Sequence, residues 1–393
     1  MRLGQPEPFE VGVRRHAEQR VRVGDRVAVA LGRARPVIPS AQSGAASALT
    51  AEVGGFSGIA DLAPVSATDI HAAGSRLIHS DGETWVADLG TSGHVYKAVS
   101  FSAPGYGWAA GPGFAIECRD GAWLEPRSMG DSAVYDLHVL GPDVAWAAGW
   151  DSASRLAAIW RLRDGVWRLD PVTGDLPNSF TRIWMASPSE GWAVGGNSIA
   201  HFDGISWNTS RHQEWGALRG VAGTGPSDVW VVGGPEPAPF VDPGASRVLH
   251  FDGTDWRVAF DQTLGGLVDI AVRVDDGYAV GFEGVVLRLR DGVWSSIGRL
   301  IEADRFYRVT SVAFVPGQAY ALAALDDGRV YSLEGDRAEL VWDRTVFTGI
   351  AVASPTLGWA LSAGDPLQYD GRNWLAGQPG SPLPGTHDVA VVA

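Results

Sequence analysis

The chain has 393 residues, a length that fits two average domains or one large all-β domain, and its 51 Gly, 23 Pro and 17 Trp favour the single turn-rich domain. Its formal net charge of −14 repels phosphate backbones and anionic lipid surfaces, which argues against nucleic acid as a partner. A single cysteine, Cys118, excludes an intrachain disulfide.

Residues 1–55 precede the repeated part of the sequence and predict an N-terminal extension. Within it, QRVRVGDRVAVAL alternates like a β-hairpin, and IPSAQSGAASALTAEV has the small residues of a linker. The N-terminus has no apolar signal-peptide core, and Val27–Leu31 is too short to cross a bilayer. We therefore expect no membrane insertion and a cytoplasmic location, with export by a non-standard route left open.

From residue 56 onward the sequence repeats Asp-Gly followed by Trp, with one or two residues between Gly and Trp. The intact copies are Asp81–Trp85, Asp120–Trp123, Asp164–Trp167, Asp203–Trp207, Asp252–Trp256, Asp291–Trp294 and Asp370–Trp374. An eroded eighth copy ends at Trp342. Each copy follows a strand of small and aromatic residues such as GWAVGG, which follows an alternating strand such as LRGVAGT.

Each repeat predicts four short β-strands in about 40 to 45 residues, and such a unit must stack on its neighbours to bury both faces. Radial closure also protects most strand edges. We predict an all-β fold: a β-propeller over residues 56–393, with eight four-stranded blades or, as the alternative, seven. A ninth copy of the first strand, His387–Ala393, is expected to close the ring as a C-terminal strand.

The segment GWAVGGNSIAHFDGISW, Gly191–Trp207, resembles bacterial propeller repeats grouped as YCF48-like and as BNR or Asp-box (sialidase-type) proteins. The resemblance covers roughly Phe56–Trp374 and implies a β-propeller fold. One difference concerns the signature itself. The Asp-box places Asp and Gly two residues apart after Ser or Thr, whereas Asp and Gly are adjacent in this sequence.

Residue types that recur at one position of the repeat are predicted to be structural. Thirteen of the 17 Trp recur in this way, and we expect them to pack between blades. His79, His201 and His250 each precede the Asp of Asp-Gly by two residues, and we expect each to form a structural hydrogen bond to a neighbouring turn. No metal-ligand spacing or catalytic motif is present, so we predict no metal and no cofactor.

In a four-stranded blade, the connections between strands two and three and between strands four and one lie on one face. Here these connections hold nearly every insertion, including Leu124–Ala133, Asp170–Ser179, Pro235–Arg247 and Ser295–Arg308, so we call this the loop face and predict that it binds a ligand. The candidate binding residues are Trp150, Arg155, Arg211, His212, Glu214, Trp215, Phe240, Asp242, Asp304, Arg305 and Phe306. Aromatic, Arg and acidic residues of this kind occur in protein interfaces and in sugar sites.

Three functions are compatible with this pattern. The first, favoured by the loop asymmetry, is a non-catalytic scaffold that binds a protein partner through the loop face. The second is a lectin-like propeller that binds a glycan, although the variable loops share no motif. The third is a sialidase-like hydrolase or lyase with its pocket in the central channel, where inner-strand residues converge: Asp61, Asp136, Arg182, Arg219, Asp269 and Asp388.

Overall fold

A computed structural model describes residues 58–81, 85–88, 91, 93–234, 245–300, 307–342, 347–354, 357–362, 367–369 and 374–376. These residues form mostly β-strands, which confirms the all-β prediction. The only helix among them is a 3-10 turn, Gln213–Trp215, and no helix in these ranges is long and apolar enough to cross a membrane. The predicted extension, residues 1–55, lies outside the described residues.

The first sheet is a four-stranded antiparallel blade whose strands pair in chain order. It consists of β1 (Ile59–Ser66), β2 (Asp69–Gly74), β3 (Leu77–Ser80) and β4 (Trp85–Ala87). The small residues at the end of β2 are buried, because neighbouring sheets pack against both of its faces.

The second sheet has seven strands and merges two sequence repeats. It consists of β5 (Ala98–Ala103), β6 (Tyr106–Arg119), β7 (Ala122–Trp123), β8 (Arg127–Gly141), β9 (Val144–Asp151), β10 (Leu156–Arg163) and β11 (Val166–Leu169). The repeats merge because β6 and β8 pair with each other, with Phe114 opposite Ser128. Buried Glu117 on β6 strengthens the junction through ion pairs with Arg119 and with Arg127 of β8.

The third sheet has five strands, of which one is an added edge strand. It consists of β12 (Val172–Gly174), β13 (Arg182–Ser187), β14 (Glu190–Gly195), β15 (Ser198–Phe202) and β16 (Trp207–Arg211). The added strand β12 pairs in parallel with β16, with Val172 opposite Trp207. The insertion Asp170–Ser179, expected as a loop, therefore places part of its length along the outer edge of this sheet.

Three regular four-stranded blades follow, and a fourth ends the described chain. Their strands are β17 (Leu218–Gly225), β18 (Asp228–Gly233), β19 (Ala245–Phe251) and β20 (Trp256–Thr263); β21 (Leu267–Arg273), β22 (Asp276–Gly281), β23 (Val285–Arg290) and β24 (Val293–Arg299); β25 (Val309–Phe314), β26 (Ala321–Leu325), β27 (Val330–Glu334) and β28 (Arg337–Trp342); and β29 (Phe347–Ser354), β30 (Leu357–Ser362), β31 (Leu367–Tyr369) and β32 (Trp374–Ala376).

The prediction of eight four-stranded blades, or of seven, is wrong, because the residues that the structure describes form five such blades. The repeat count predicts sequence units correctly but not sheets, since strand pairing outside the units merges two repeats and extends a third. Inner strands contact one another in the order β1, β5, β8, β13, β17, β21, β25 and again β1. The predicted closing strand, His387–Ala393, lies outside the described residues.

The Asp-Gly turns that the structure describes adopt two geometries, which follow the spacing to Trp. Where one residue separates Gly from Trp, Asp and Gly both have positive φ, as at Asp164 (52°) and Gly165 (69°), which is the type I′ hairpin turn. Where two residues separate them, the Asp side chain accepts backbone N–H groups instead. Oδ1 of Asp203 accepts hydrogen bonds from Ile205 and Ser206, each at 2.9 Å.

Recurring Trp residues pack between adjacent repeats, as predicted. Trp108 and Trp146, on second strands of their repeats, are almost completely buried, and so is Trp207 at the close of a repeat. The ring of Trp108 packs edge-on against half-buried Trp167 with centroids 5.3 Å apart. Each fully buried indole removes about 150 to 250 Å² from water, which contributes several kcal/mol at about 25 cal/mol/Å².

Candidate functional site

Two of the three histidines that precede Asp-Gly in the repeat form the predicted structural hydrogen bonds within their own sheets. His201 Nε2 lies 2.6 Å from Glu190 Oε1, and His250 Nε2 lies 2.7 Å from Asp228 Oδ1. Both carboxylates begin the strand after a turn, and the His201 ring stacks on Trp192 with centroids 4.9 Å apart. The prediction is therefore confirmed at these positions, and both rings are used in holding strands together.

The third of these histidines, His79, bonds to a carboxylate at a different place in the blade. His79 Nδ1 lies 2.6 Å from Asp88 Oδ1, just beyond the last strand of the first blade. The Asp88 hydrogen bond raises the pKa of His79. Within the described ranges no group of three or more His, Cys, Asp or Glu side chains is arranged to hold a metal ion.

Around the central channel, three carboxylates each join two adjacent inner strands. Each accepts a hydrogen bond from a backbone N–H of the next inner strand: Val99 to Asp61 at 3.0 Å, Ile183 to Asp136 at 2.7 Å, and Val312 to Asp269 at 2.8 Å. Ser311 continues the pattern from β25 to β1, because its Oγ accepts the N–H of Leu62 at 3.2 Å. The arrangement closes the ring through side chains.

Arg182 is the buried cation among these carboxylates. Its Nε donates to Asp269 Oδ1 at 3.3 Å, and its other nitrogens donate to the carbonyls of Thr181 and Thr310, each at 3.2 Å. Burial raises the pKa of Asp136 to about 8, against the opposing effect of Arg182. Burial also raises the pKa of Asp61. These groups hold strands and neutralise buried charge.

Four of the six predicted channel residues are thus brought together: Asp61, Asp136, Arg182 and Asp269. Arg219 departs from this cluster, since its Nη1 donates to the carbonyl of Gly234 in the connection after β18, on the loop face. Asp388 lies outside the described residues. The three carboxylates accept hydrogen bonds from backbone N–H groups and from Arg182 or Ser311. This is the pattern expected of residues that hold neighbouring strands together.

On the loop face, the connection between β16 and β17 carries a stacked aromatic pair. The rings of His212 and Trp215 are almost parallel at 13°, with centroids 3.8 Å apart. His212 Nε2 lies 2.8 Å from Ser210 Oγ, and its backbone N–H donates to Asn197 at 2.7 Å. Trp215 is half-buried against the core of the neighbouring sheets, so the pair is a rigid aromatic surface rather than a free loop.

Charged groups surround this pair. Glu214 and Arg211 are exposed, and the carbonyl of Glu214 accepts a hydrogen bond from Arg247 Nη1 at 2.7 Å. Arg247 is in turn held by Asp261 at 2.7 Å. Sequence reasoning missed the bracing role of Arg247 and Asp261. The only available signal was that Arg247 ends the insertion after β18.

The remaining predicted residues fall in two groups. Trp150 is half-buried at the end of β9, and Arg155 is exposed in the following turn with a φ of 58°. They lie at a different connection from the His212–Trp215 pair. The others lie outside the described residues: Phe240, Asp242, Asp304, Arg305 and Phe306.

Blades built around a ring of inner strands define the molecule as a β-propeller, and solved structures agree. The chain is similar to YCF48 bound to D1 peptide, with 18% identity, a TM-score of 0.52, and coverage of 71% of this chain and 94% of that one. It is also similar to the WD40 β-propeller domain of Doa1, with 13% identity and a TM-score of 0.53 over 70% of this chain and 92% of that one.

A third similar structure, U3-55K, has 12% identity and a TM-score of 0.53 over 69% of this chain and 89% of that chain. At these identities the likenesses show the fold alone. No protein-family model matches the chain, and no curated protein matches it. The propeller part of the sequence resemblance is therefore confirmed, whereas the BNR or sialidase-type class is not.

Proposed function

We propose that this propeller is a non-catalytic scaffold that binds a protein partner through its loop face. The observation that carries the proposal is the His212–Trp215 pair, because it presents aromatic surface on a connection held by backbone and Arg247 hydrogen bonds. A rigid aromatic group that includes Trp, beside an exposed Arg, has the residue types that are enriched in interface hot spots.

Two further observations support this function. Irregular connections on a rigid β scaffold are where binding residues usually lie, and the connections on this face vary most in length and sequence. In addition, one structural neighbour, YCF48, was solved with a D1 peptide bound. The predicted loop-face residues Phe240 and Phe306 lie outside the described ranges and stay a prediction from the sequence.

Affinity capture with the tagged full chain tests the proposal. Lysate of the organism that makes the protein supplies the partners, and recovered proteins are quantified by mass spectrometry. We expect Arg211→Glu and Trp215→Ala each to reduce recovery of the specific partner by about tenfold or more, since hot-spot residues are worth about 2 kcal/mol. The matched control is Ile205→Ser, an 86% exposed apolar residue on the opposite face.

Arg211→Glu guards against a misfolding artefact, because Arg211 is exposed and outside the core, whereas Trp215 packs partly against it. A thermal melt of each variant verifies that the fold is kept. If partner recovery is unchanged in both loop-face variants, the assignment of the binding face is wrong.

A further inference from the structure

The face opposite the loop face carries the short connections between strands one and two and between strands three and four, and we call it the turn face. In the blade β21–β24 two apolar side chains are exposed on it, Val274 at 78% and Val293 at 66%. Asp276 of β22 pairs with Arg290 of β23, so the turns that contain the two valines lie side by side.

The same two turns carry two exposed carboxylates, Asp275 and Asp291. Both residues have positive φ, 57° and 50°, and stand between the strands that their turns connect. Within the ranges that the structure describes, neither side chain accepts a hydrogen bond or forms an ion pair. We call Val274, Asp275, Asp291 and Val293 the turn-face patch.

The arginines next to the patch are already paired with other carboxylates. Arg273 donates to Asp276 at 2.7 Å, and Arg288 donates to Asp276 at 3.4 Å. Arg288 and Arg290 both donate to Asp336, at 3.1 Å and 3.0 Å. These guanidinium groups are therefore used to hold the blades together, and the two patch carboxylates have no cation of their own among the described residues.

The acidic character of the turn face extends to the neighbouring blades. Asp252 and Asp255 are both exposed in the Asp-Gly turn of the blade β17–β20, and Arg257 pairs with Asp252 at 3.4 Å. One blade further on, Asp203 is exposed, and its Oδ1 accepts hydrogen bonds from two uncharged backbone N–H groups. An excess of carboxylates of this kind favours a basic ligand.

One segment outside the described residues has the complementary composition. Val11–Arg35 contains seven arginines and two acidic residues, Glu18 and Asp25, and has a formal net charge of +5 in a chain whose net charge is −14. Part of it, RVRVGDRVAV, alternates charged residues with valine. In an extended strand this alternation places most arginines on one side and the valines on the other.

The chain between this segment and the propeller is long enough for the two to meet. Residues 36–58 precede β1, and a stretch of that length spans up to about 75 Å when fully extended. The inner strands contact one another in the order β21, β25, β1, so the patch lies two blades away from β1. Linkage within one chain also raises the effective concentration of the segment at the patch.

We propose that the basic segment Val11–Arg35 binds the turn-face patch of its own chain. Its arginines pair with Asp275 and Asp291, and its valines cover Val274 and Val293. Several ion pairs and the apolar contact act together, because one exposed ion pair alone contributes little. The contact lies on the face opposite the proposed partner surface, so it goes beyond the proposed function and does not depend on it.

Double electron–electron resonance on the full chain tests the proposal. One spin label is attached through Val23→Cys in the segment and the other through Thr254→Cys, an exposed position on the turn face of the neighbouring blade. Native Cys118 is 1% exposed and is protected from labelling. We expect short, narrowly distributed distances that lengthen at high salt. With Ala153→Cys on the loop face as the second position, we expect longer distances.

Variants locate the contact. The double variant Asp275→Asn and Asp291→Asn removes both patch charges, and Asn tolerates positive φ, so the turns are kept. It should remove most of the short-distance population. The matched control is Asp120→Asn with Asp143→Asn. These exposed residues also have positive φ, 52° and 57°, so the control changes net charge equally and should leave the distances unchanged.

Each outcome decides the proposal. It is overturned if the turn-face label pair gives no short distances, or if the control variant removes them as fully as the patch variant does. Dilution of the doubly labelled chain into an excess of unlabelled chain identifies the occupant. Distances that persist support binding within one chain, whereas their loss would show that the segment binds a second copy and would overturn the proposal.

Discussion

The same sequence repeat produces regular blades in one half of the molecule and merged sheets in the other. From β17 to β28 each repeat is one four-stranded blade, whereas from β5 to β16 three repeats form a seven-stranded and a five-stranded sheet. Since the Asp-Gly turns and buried Trp residues occur in both halves, the repeat determines the four-strand unit. The segments between units determine whether neighbouring sheets join.

The two halves are also held together differently. In the regular half, side chains cross between blades: the Tyr278 hydroxyl donates to Gly335 at 2.9 Å, and Arg288 and Arg290 both pair with Asp336. In the merged half, backbone pairing of β6 with β8 and of β12 with β16 joins neighbouring segments instead. Main-chain pairing adds hydrogen bonds and leaves less edge exposed.

The largest effect expected from this difference concerns two Trp at the same repeat position. Trp207 is completely buried under the segment that contains β12, whereas Trp256 is half-buried. We expect Trp207→Ala to lower the free energy of unfolding by about 3 to 5 kcal/mol, and Trp256→Ala by roughly half as much. Urea unfolding followed by circular dichroism measures both; equal losses would show that β12 does not deepen the burial of Trp207.

A slightly smaller effect is expected where the halves meet in the channel. Asp269 of the regular half pairs with Arg182 of the merged half, and the side chains are 11% and 16% exposed. Asp269→Asn keeps an acceptor for Val312 but leaves Arg182 without its paired charge. The free energy of unfolding should fall by about 3 kcal/mol. A loss below about 1 kcal/mol in the same urea titration would mean that water or another carboxylate replaces Asp269.

Next in size is the ion-pair group at the junction of β6 and β8. Glu117 is almost fully buried between Arg119 and Arg127, so Glu117→Gln should cost about 1 to 3 kcal/mol. The matched change in the regular half is Arg290→Gln, whose pair with Asp336 is more than half exposed and should be worth less than about 1 kcal/mol. If both variants lose the same stability, the merged junction does not depend on its buried charge.

The last effect depends on pH. Folded Asp136 keeps its proton up to about pH 8, whereas in the unfolded chain it ionises near pH 4. Between these values the folded state binds more protons, so this group lowers the free energy of unfolding as pH rises. Asp136→Asn should therefore gain stability relative to the parent chain as pH rises from 4 to 8, with little difference at pH 4.

Urea titrations across this pH range, with Asp269→Asn as the comparison, test the sign. Asp269→Asn is expected to destabilise the chain, and Asp136→Asn to gain stability relative to the parent chain as pH rises, although both positions accept a backbone N–H in the same way. A difference between Asp136→Asn and the parent chain that does not change with pH would exclude the buried titrating carboxyl.

Much of the fold could be predicted because it is local and repeated. The Asp-Gly turns, the buried Trp positions and the hydrogen bonds of His201 and His250 all follow from residues close in sequence. The merging of sheets could not be predicted, because the pairing of β6 with β8 draws on the irregular insertion Leu124–Ala133. That segment shows no clear alternation of polar and apolar residues.

The candidate site was predictable only in part. Trp215 and His212 stand out in the sequence because they do not recur at a fixed position of the repeat and lie next to a blade boundary. The contact of Arg247 with Glu214 and the approach of Arg219 to Phe282 join residues from different repeats. Such contacts depend on the relative positions of neighbouring blades, and these positions cannot be inferred from the sequence of one segment.

The contact between β25 and β1 has a consequence for how the chain is made. Its hydrogen bond from Leu62 to Ser311 joins residues 249 positions apart. At about 5 to 20 residues per second, a ribosome needs roughly 12 to 50 seconds to add that length of chain. Throughout that time β1 lacks its contact with β25, and the backbone N–H of Leu62 lacks its acceptor in Ser311. Closure of the ring between β25 and β1 is therefore a slow, long-range and late folding step.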